Sequence, residues 1–353
     1  MPVAPPRTAA QVYHSLAASF DQNPAAPSAP QSTLHVASCL LRLRSTTPGL
    51  HRQMLRPLAC PIGSDAQAPD FSIDLVDLGE ESLPDLPWLP QHSSAEQETS
   101  EYREGPFVFT RHGDVLLTAL NHAEGRTVGL VHAPDRWPLR HYKQAIFITL
   151  YQHLRRRGLH LIHASAIGLH GGAVLLAGQS GAGKTTTMLA CVAAGLDFLG
   201  DDTTLVQRAA DGSIEAITLL STLDATDNTA AWFPELAPHL SAQRSHTAKR
   251  QIILAEAFPQ RMAVRGRVLA ILAPEITDSM HTRLAPGNPA ALLSDLLYYS
   301  VDLHEAALAR QHVEFLAQAV ETVPVYRLLL GRDKDQIPQV IADVLRADVT
   351  LVA

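Results

Sequence analysis

Val174-Leu175-Leu176-Ala177 is a short apolar run, and Gly178-Gln179-Ser180-Gly181-Ala182-Gly183-Lys184-Thr185-Thr186 follows it without a break. Met188-Leu189-Ala190-Cys191-Val192 then continues with helix-forming residues up to Gly195. The order reads as strand, glycine-rich loop, helix. Gly178, Gly183, Lys184 and Thr185 match the spacing G-x-x-x-x-G-K-[ST], the Walker A pattern. Glycines let the backbone curl so that successive N–H groups converge on one anion. The helix that begins there adds its positive end. Lys184 supplies a point charge for the β- and γ-phosphates, and the Thr185 hydroxyl suits Mg²⁺. The stretch Gly178–Thr186 is therefore expected to hold a nucleoside triphosphate with Mg²⁺.

Working outward, Phe198–Val206 reads as a strand that carries Asp201-Asp202, beside the strand before the loop. One carboxylate would help hold the metal and the other would accept a proton from an attacking hydroxyl. On the other side, Leu159–Leu169 reads as a single strand containing His163, joined at His170-Gly171 to Gly172–Ala177. A strand histidine is by itself ordinary. Further on, Arg244, His246, Lys249 and Arg250 precede an apolar run, and a cation there would neutralise a transferred phosphoryl group. Leu269–Ala273 imitates a strand ending in an acid, but Pro274 intervenes and Glu275 reads as a loop residue.

These residues together resemble the HPr kinase/phosphorylase family, and more closely the HPr-kinase-related proteins of bacterial peptide-modification clusters, some of which phosphorylate a serine of a ribosomally made precursor peptide. The loop and the Gly200-Asp201-Asp202 element are also similar to ATP-dependent phosphoenolpyruvate carboxykinase. The resemblance covers Leu159–Val206. It implies an α/β fold with a P-loop kinase domain of the HPr kinase/PEP carboxykinase-like type and an ATP- and Mg²⁺-dependent transfer to a peptide or protein serine. It also implies that His163 belongs to the site and that Lys249 is the cation. Asp201 becomes the expected base, and Asp202 joins Thr185 on the metal. A homo-oligomer is the family's habit. Two departures count against HPr itself as the acceptor. Lys184-Thr185-Thr186 stands where those kinases carry Lys-Ser-Glu, and their downstream glycine-rich, arginine-containing segment is missing. A small-molecule kinase and a non-catalytic nucleotide-binding regulator are the alternatives.

The rest of the chain supplies the setting. The 353 residues carry a net charge of −7, which speaks against a nucleic-acid binder. Three cysteines, Cys39, Cys60 and Cys191, show no paired spacing, so a reducing compartment is expected. No basic-then-apolar leader and no long apolar run is present, so the reading is cytoplasmic, with no membrane contact. Residues 1–31 are rich in Ala and Pro and read as a loose arm with some helix around Ala9–Phe20. Residues 32–135 read as a smaller, mostly β domain for recognising a substrate or partner. Its strands are Leu34–Leu43, Phe71–Leu78, Pro106–Thr110, Val115–Leu120 and Thr127–His132, with Leu83–Gly105 as a long, partly disordered loop. Residues 136–353 form the expected kinase domain. It opens on a helix over His141–Arg157, with Phe147, Leu150, Tyr151 and Leu154 on one face. It ends with helices at Pro289–Ser300, Leu303–Thr322 and Ile337–Ala347 and a strand at Val323–Leu330.

Overall fold

The structure, a computed structural model, describes residues 8–63, 67–86, 88–89, 99–242 and 249–347. Backbone contacts divide the chain into two compact units, Met1–His153 and Leu154–Ala353. Part of the expected disordered loop, at residues 87 and 90–98, lies outside the described residues, as do Arg244 and His246.

The first unit contains helices α1 (Ala9–Asp21), α2 (Pro48–Leu55) and α3 (Leu139–Leu154). Its strands are β1 (Gln31–Val36), β2 (Cys39–Ser45), β3 (Phe71–Asp77), β4 (Thr99–Glu104), β5 (Phe107–His112), β6 (Leu116–Asn121) and β7 (Arg126–Val131). They form one mixed sheet in the order β1-β2-β3-β7-β6-β5-β4. The strand expected over Leu34–Leu43 is a hairpin, because Ala37 takes a positive φ of 56° and turns the chain. Thr99–Glu104, expected as loop, pairs as an edge strand on β5. Its alternation is hidden because both faces stay partly in water. The expected arm is largely α1, which buries Tyr13 and Phe20 completely against the sheet. Asp74 on β3 is fully buried between Arg44 of β2 and Arg126 of β7, and Arg126 also reaches Asp21 at the end of α1. That charge cluster joins three strands and a helix.

α3 counts with this unit, whereas the sequence places it after the boundary. His153 explains this: its ring stacks on Phe71 at 4.5 Å and its Nε2 lies 2.8 Å from the Thr127 hydroxyl. The buried face of α3 is Tyr142, Ala145, Ile146, Leu150 and Leu154. Phe147 and Tyr151 stack on each other instead, beside that face.

The second unit contains α4 (Lys184–Ala193), α5 (Asp227–Ala231), α6 (Leu254–Ala257), α7 (Pro289–Ser300), α8 (Ala306–Thr322) and α9 (Gln336–Ala347). Its strands are β8 (His160–Ile162), β9 (Ala164–Leu169), β10 (Gly172–Ala177), β11 (Asp197–Gly200), β12 (Thr204–Arg208), β13 (Ile214–Ile217), β14 (Thr222–Ala225), β15 (Arg250–Ile253), β16 (Arg265–Ile276), β17 (Arg283–Pro286) and β18 (Val325–Leu330). The main sheet runs β11-β9-β10-β16-β13-β12-β8, and β18 and then β17 extend from β16. β14 and β15 pair separately. Side chains alternate across β10. Val174 and Leu176 enter the core under α4 and α9, while Ala173, Leu175 and Ala177 enter the core under α7 and α8. The sheet thus carries helices on both faces.

Three expectations change here. The stripe on α8 includes Ala309, Leu316 and Val320, but Val313 is 38% exposed and His312, Phe315 and Ala319 are buried. Pro274 and Glu275 lie inside β16, with Glu275 opposite Leu329 of β18. Pro274 is tolerated because the pairing of β16 with β10 stops at Leu272, so no ladder donor is missed on that side. The strand carrying Asp201-Asp202 does not adjoin β10, since β9 lies between them.

That last arrangement positions the site. The single strands expected over Leu159–Leu169 and Phe198–Val206 are each broken once. The segment 160–169 gives β8 and β9, and the segment 197–208 gives β11 and β12. β9 pairs with β11 at one end of the sheet order, and β8 pairs with β12 at the other. The sheet therefore bends back on itself, and its two ends are pieces of the same two chain segments. Register is kept across the break. Ile162 faces Thr204 on one side and Ala166 faces Gly200 on the other, which leaves His163-Ala164-Ser165 opposite Asp201-Asp202-Thr203. The Thr204 hydroxyl donates to the Ala164 carbonyl at 2.7 Å and closes the gap.

Candidate functional site

The glycine-rich loop leaves β10 at Gly178 and enters α4 at Lys184. Gly181 and Gly183 have φ of +85° and +100°, where a side chain is strained. Gly183 is the N-cap of α4 and offers no side-chain cap, so the first N–H groups of the helix are left for another acceptor. Lys184 is 7% exposed, and its ammonium donates to the carbonyls of Gly178 at 2.7 Å and Gln179 at 3.1 Å.

The loop meets the break in the sheet. The Ser165 hydroxyl donates to Asp201 Oδ1 at 2.6 Å, as their facing register requires. The Thr185 hydroxyl donates to Asp201 Oδ2 at 3.3 Å. Asp201 is 5% exposed. Asp202 follows with φ +61°, an unusual conformation for a residue other than glycine, and one that turns it away from the strand direction. Its Oδ1 lies 3.5 Å from His163 Nδ1. The other ring nitrogen, Nε2, lies 3.4 Å from Lys184 Nζ.

Burial lowers the His163 pKa, and the Lys184 and Lys249 charges lower it further. The Asp202 carboxylate and a hydrogen bond to the Asp202 backbone oppose that shift. A neutral ring with its proton on Nδ1 fits both neighbours, because Nε2 can then accept from the ammonium. Burial also lowers the Lys184 pKa, against the pull of Asp202 and Asp201. Lys249 lies close enough for its charge to act on both groups.

The residues singled out from sequence thus come together: Lys184, Thr185, Asp201, Asp202, His163 and Lys249. Gln179 contributes its carbonyl to Lys184, and Thr186 lies 3.3 Å from the Thr229 hydroxyl on α5. The expected pairing of the acids reads differently in space. Thr185 is joined to Asp201, and Asp202 faces His163. Thr185 and Asp201 present a hydroxyl and a carboxylate oxygen to one point, hard donors of the kind Mg²⁺ takes alongside phosphate oxygens. Among the described residues no three His, Cys, Asp or Glu side chains gather around a metal position. A phosphate-bound Mg²⁺ needs only one or two protein ligands.

Ser165, Tyr299 and Ser300 also touch the site, and the sequence did not single them out. Ser165 carried a usable signal, since it lies in the same short run as His163. Tyr299 and Ser300 on α7 did not, because packing alone brings them there.

A family model described as "SynChlorMet cassette protein ScmC" matches residues 112–245, less than half of the chain. No curated protein matches. Among solved structures, the Hpr(Ser) kinase/phosphatase from Coxiella burnetii aligns over 54% of this chain and 97% of that chain, at 11% identity and a TM-score of 0.28. So loose a superposition does not establish a shared fold. The architecture stands on its own as mixed α/β with several sheets. Among the described residues no helix is long and apolar enough to cross a membrane.

Proposed function

We propose that the second unit is an ATP- and Mg²⁺-dependent phosphotransferase acting on a hydroxyl, a serine of a peptide or protein such as the precursor of a ribosomally made natural product. The observation that carries the reading is the joining of three groups at one break in the sheet. Lys184 and Thr185 lie at the mouth of a glycine-rich loop, Asp201 meets Thr185, and Asp202 meets His163. A nucleotide-binding regulator has use for the first two but not for a second acid held beside an imidazole.

Lys184 and the first amides of α4 would hold the phosphates. Thr185 and Asp201 would hold Mg²⁺, which neutralises the phosphate charge when bound. Asp202 would take the acceptor proton as the hydroxyl oxygen bonds to the γ-phosphorus and the bond to the β–γ bridging oxygen breaks, leaving ADP. His163 would orient Asp202, and Lys249 would add positive charge near the transferred group. The geometry favours Asp202 as base and Asp201 as the metal ligand, the reverse of the order the resemblance implies.

The test uses the full chain, Mg²⁺ and γ-labelled ATP with serine peptides, including any short peptide encoded beside its gene. Labelled phosphoserine together with ADP is the expected result. Label on free serine or a sugar would move the acceptor to a small molecule. Nucleotide binding without transfer to any acceptor would sink the enzyme reading.

A further inference from the structure

The His163 ring has a neighbour that the phosphoryl chemistry leaves unused. α7 buries Leu292 and Leu296 in the core of the second unit. The next position on that stripe is Tyr299, at the end of the helix and past the rim of the core. Its ring centroid lies 5.3 Å from that of His163. The following residue fastens the same turn to the site, since the Ser300 hydroxyl oxygen accepts the His163 backbone N–H at 3.0 Å. Tyr299 is nevertheless 45% exposed, and Tyr298, whose ring meets it edge to face at 4.8 Å, is 82% exposed. Neither phenol hydroxyl hydrogen-bonds to another described residue.

A single exposed tyrosine is ordinary. This pair is different because of where it lies. Lys184 and Asp201, assigned above to the phosphates and the metal, are buried. Asp202, beside Nδ1 of His163, and Tyr299, beside the same ring, remain half in water. An acceptor hydroxyl that reaches Asp202 from water therefore arrives close to the Tyr299 ring.

We propose that Tyr299, with Tyr298 behind it, selects the acceptor, and that the acceptor is a polypeptide segment with an aromatic or branched aliphatic side chain adjacent to the accepting hydroxyl. This rests on the phosphotransferase reading above. Consecutive residues are about 3.8 Å apart, so a side chain one or two positions from a serine at Asp202 reaches the Tyr299 ring. Free serine has no apolar group to cover it. Tyrosine suits the task, with a flat apolar face for the side chain and a hydroxyl for the segment's backbone.

The experiment is a positional-scanning library of peptides with a fixed central serine, phosphorylated by the full chain with γ-labelled ATP. Wild type is expected to label peptides with Phe, Tyr, Leu or Ile beside the serine roughly 10-fold above those with Asp or Gly, the discrimination one apolar contact supplies. Tyr299→Ala should flatten that preference and raise KM for the best peptide, with the smaller change in kcat. Tyr299→Phe should keep the preference, because the ring carries it. Equal labelling across the library, or a preference that survives Tyr299→Ala, overturns the specificity role while leaving the kinase reading intact. Label in no peptide overturns both the specificity role and the peptide acceptor proposed above.

Discussion

The two neighbouring acids are chemically the same residue and differ only in what they touch. Asp201 is buried between the Ser165 and Thr185 hydroxyls, and Asp202 is half in water beside an imidazole. Asp202→Asn is therefore expected to spare ATP affinity and to lower kcat by roughly 100-fold or more, the usual worth of a general base. Asp201→Asn is expected to weaken Mg²⁺-dependent nucleotide binding, read by titration calorimetry with and without the metal. Equal effects of the two variants on binding would cancel the division of roles. Ser165→Ala should raise the half-saturating Mg²⁺ concentration roughly 10-fold with little change in metal-free nucleotide binding, as loss of a partner that orients a metal ligand does. The candidate residues were legible because the loop and the acid pair are local patterns whose spacing carries their chemistry. The partners of the acids were not legible. They depend on the register between residues 163–165 and 201–203, which no local pattern encodes.

Elements follow the same logic. β10, α4, α7 and α9 are readable because each run is clearly bounded, as by Gly195 after α4. The structure adds the N-cap of α7, where Asn288 accepts from the amides of Ala290 and Ala291. The breaks inside Leu159–Leu169 and Phe198–Val206 are not legible because apolar residues resume on the far side of the polar ones in each run, Ala164 and Ile167 after His163 and Leu205-Val206 after Asp201-Asp202, and the interruption is imposed by the second chain segment. The glycines of the loop separate two costs. A Cβ at Gly181 meets nothing within 4 Å, so Gly181→Ala bears only the backbone strain of about 1–2 kcal/mol. A Cβ at Gly183 would lie 2.7 Å from Leu330 Cδ1. Gly183→Ala should therefore lower Tm further than Gly181→Ala and should also weaken nucleotide binding, since it shifts the first turn of α4. Melting curves of the two variants with and without ATP check this, and indistinguishable curves would speak against it.

At the scale of the molecule, α/β character is legible from alternation alone, but sheet order is not, because it depends on which distant strands meet. A second property also belongs to this scale, the response of stability to acid. His160 and His312 stack at 4.9 Å, and burial pushes both pKa values down from 6.5 to about 4. For His312 the charges of His160 and Arg155 lower it further, while Asp302 raises it. Nε2 of His312 is buried with no hydrogen-bond partner among the described residues. Between about 4 and 6.5 the unfolded chain binds protons that the folded chain refuses. The contribution to stability is thus complete above pH 6.5 and is lost as pH falls toward 4. For His312 it is on the order of 3 kcal/mol. His312→Phe should keep the stack on His160 and flatten the fall of Tm between pH 7 and 4.5. An unchanged slope in that variant would assign the acid sensitivity elsewhere.

The sheet that returns to its own starting segments makes residue count itself a functional quantity. The distance from His163 to Asp202 is not a loop's to choose. It is measured out by paired registers on either side of the gap, as the jaws of a caliper are set by its scale. Such a site should be forgiving of side-chain exchange at its rim and intolerant of any change in length. One residue added after Leu161 or after Gly200 would slide one jaw along the scale and part the imidazole from the carboxylate. The same addition in the turn at Asp211–Gly212, outside both jaws, would leave the reading unchanged.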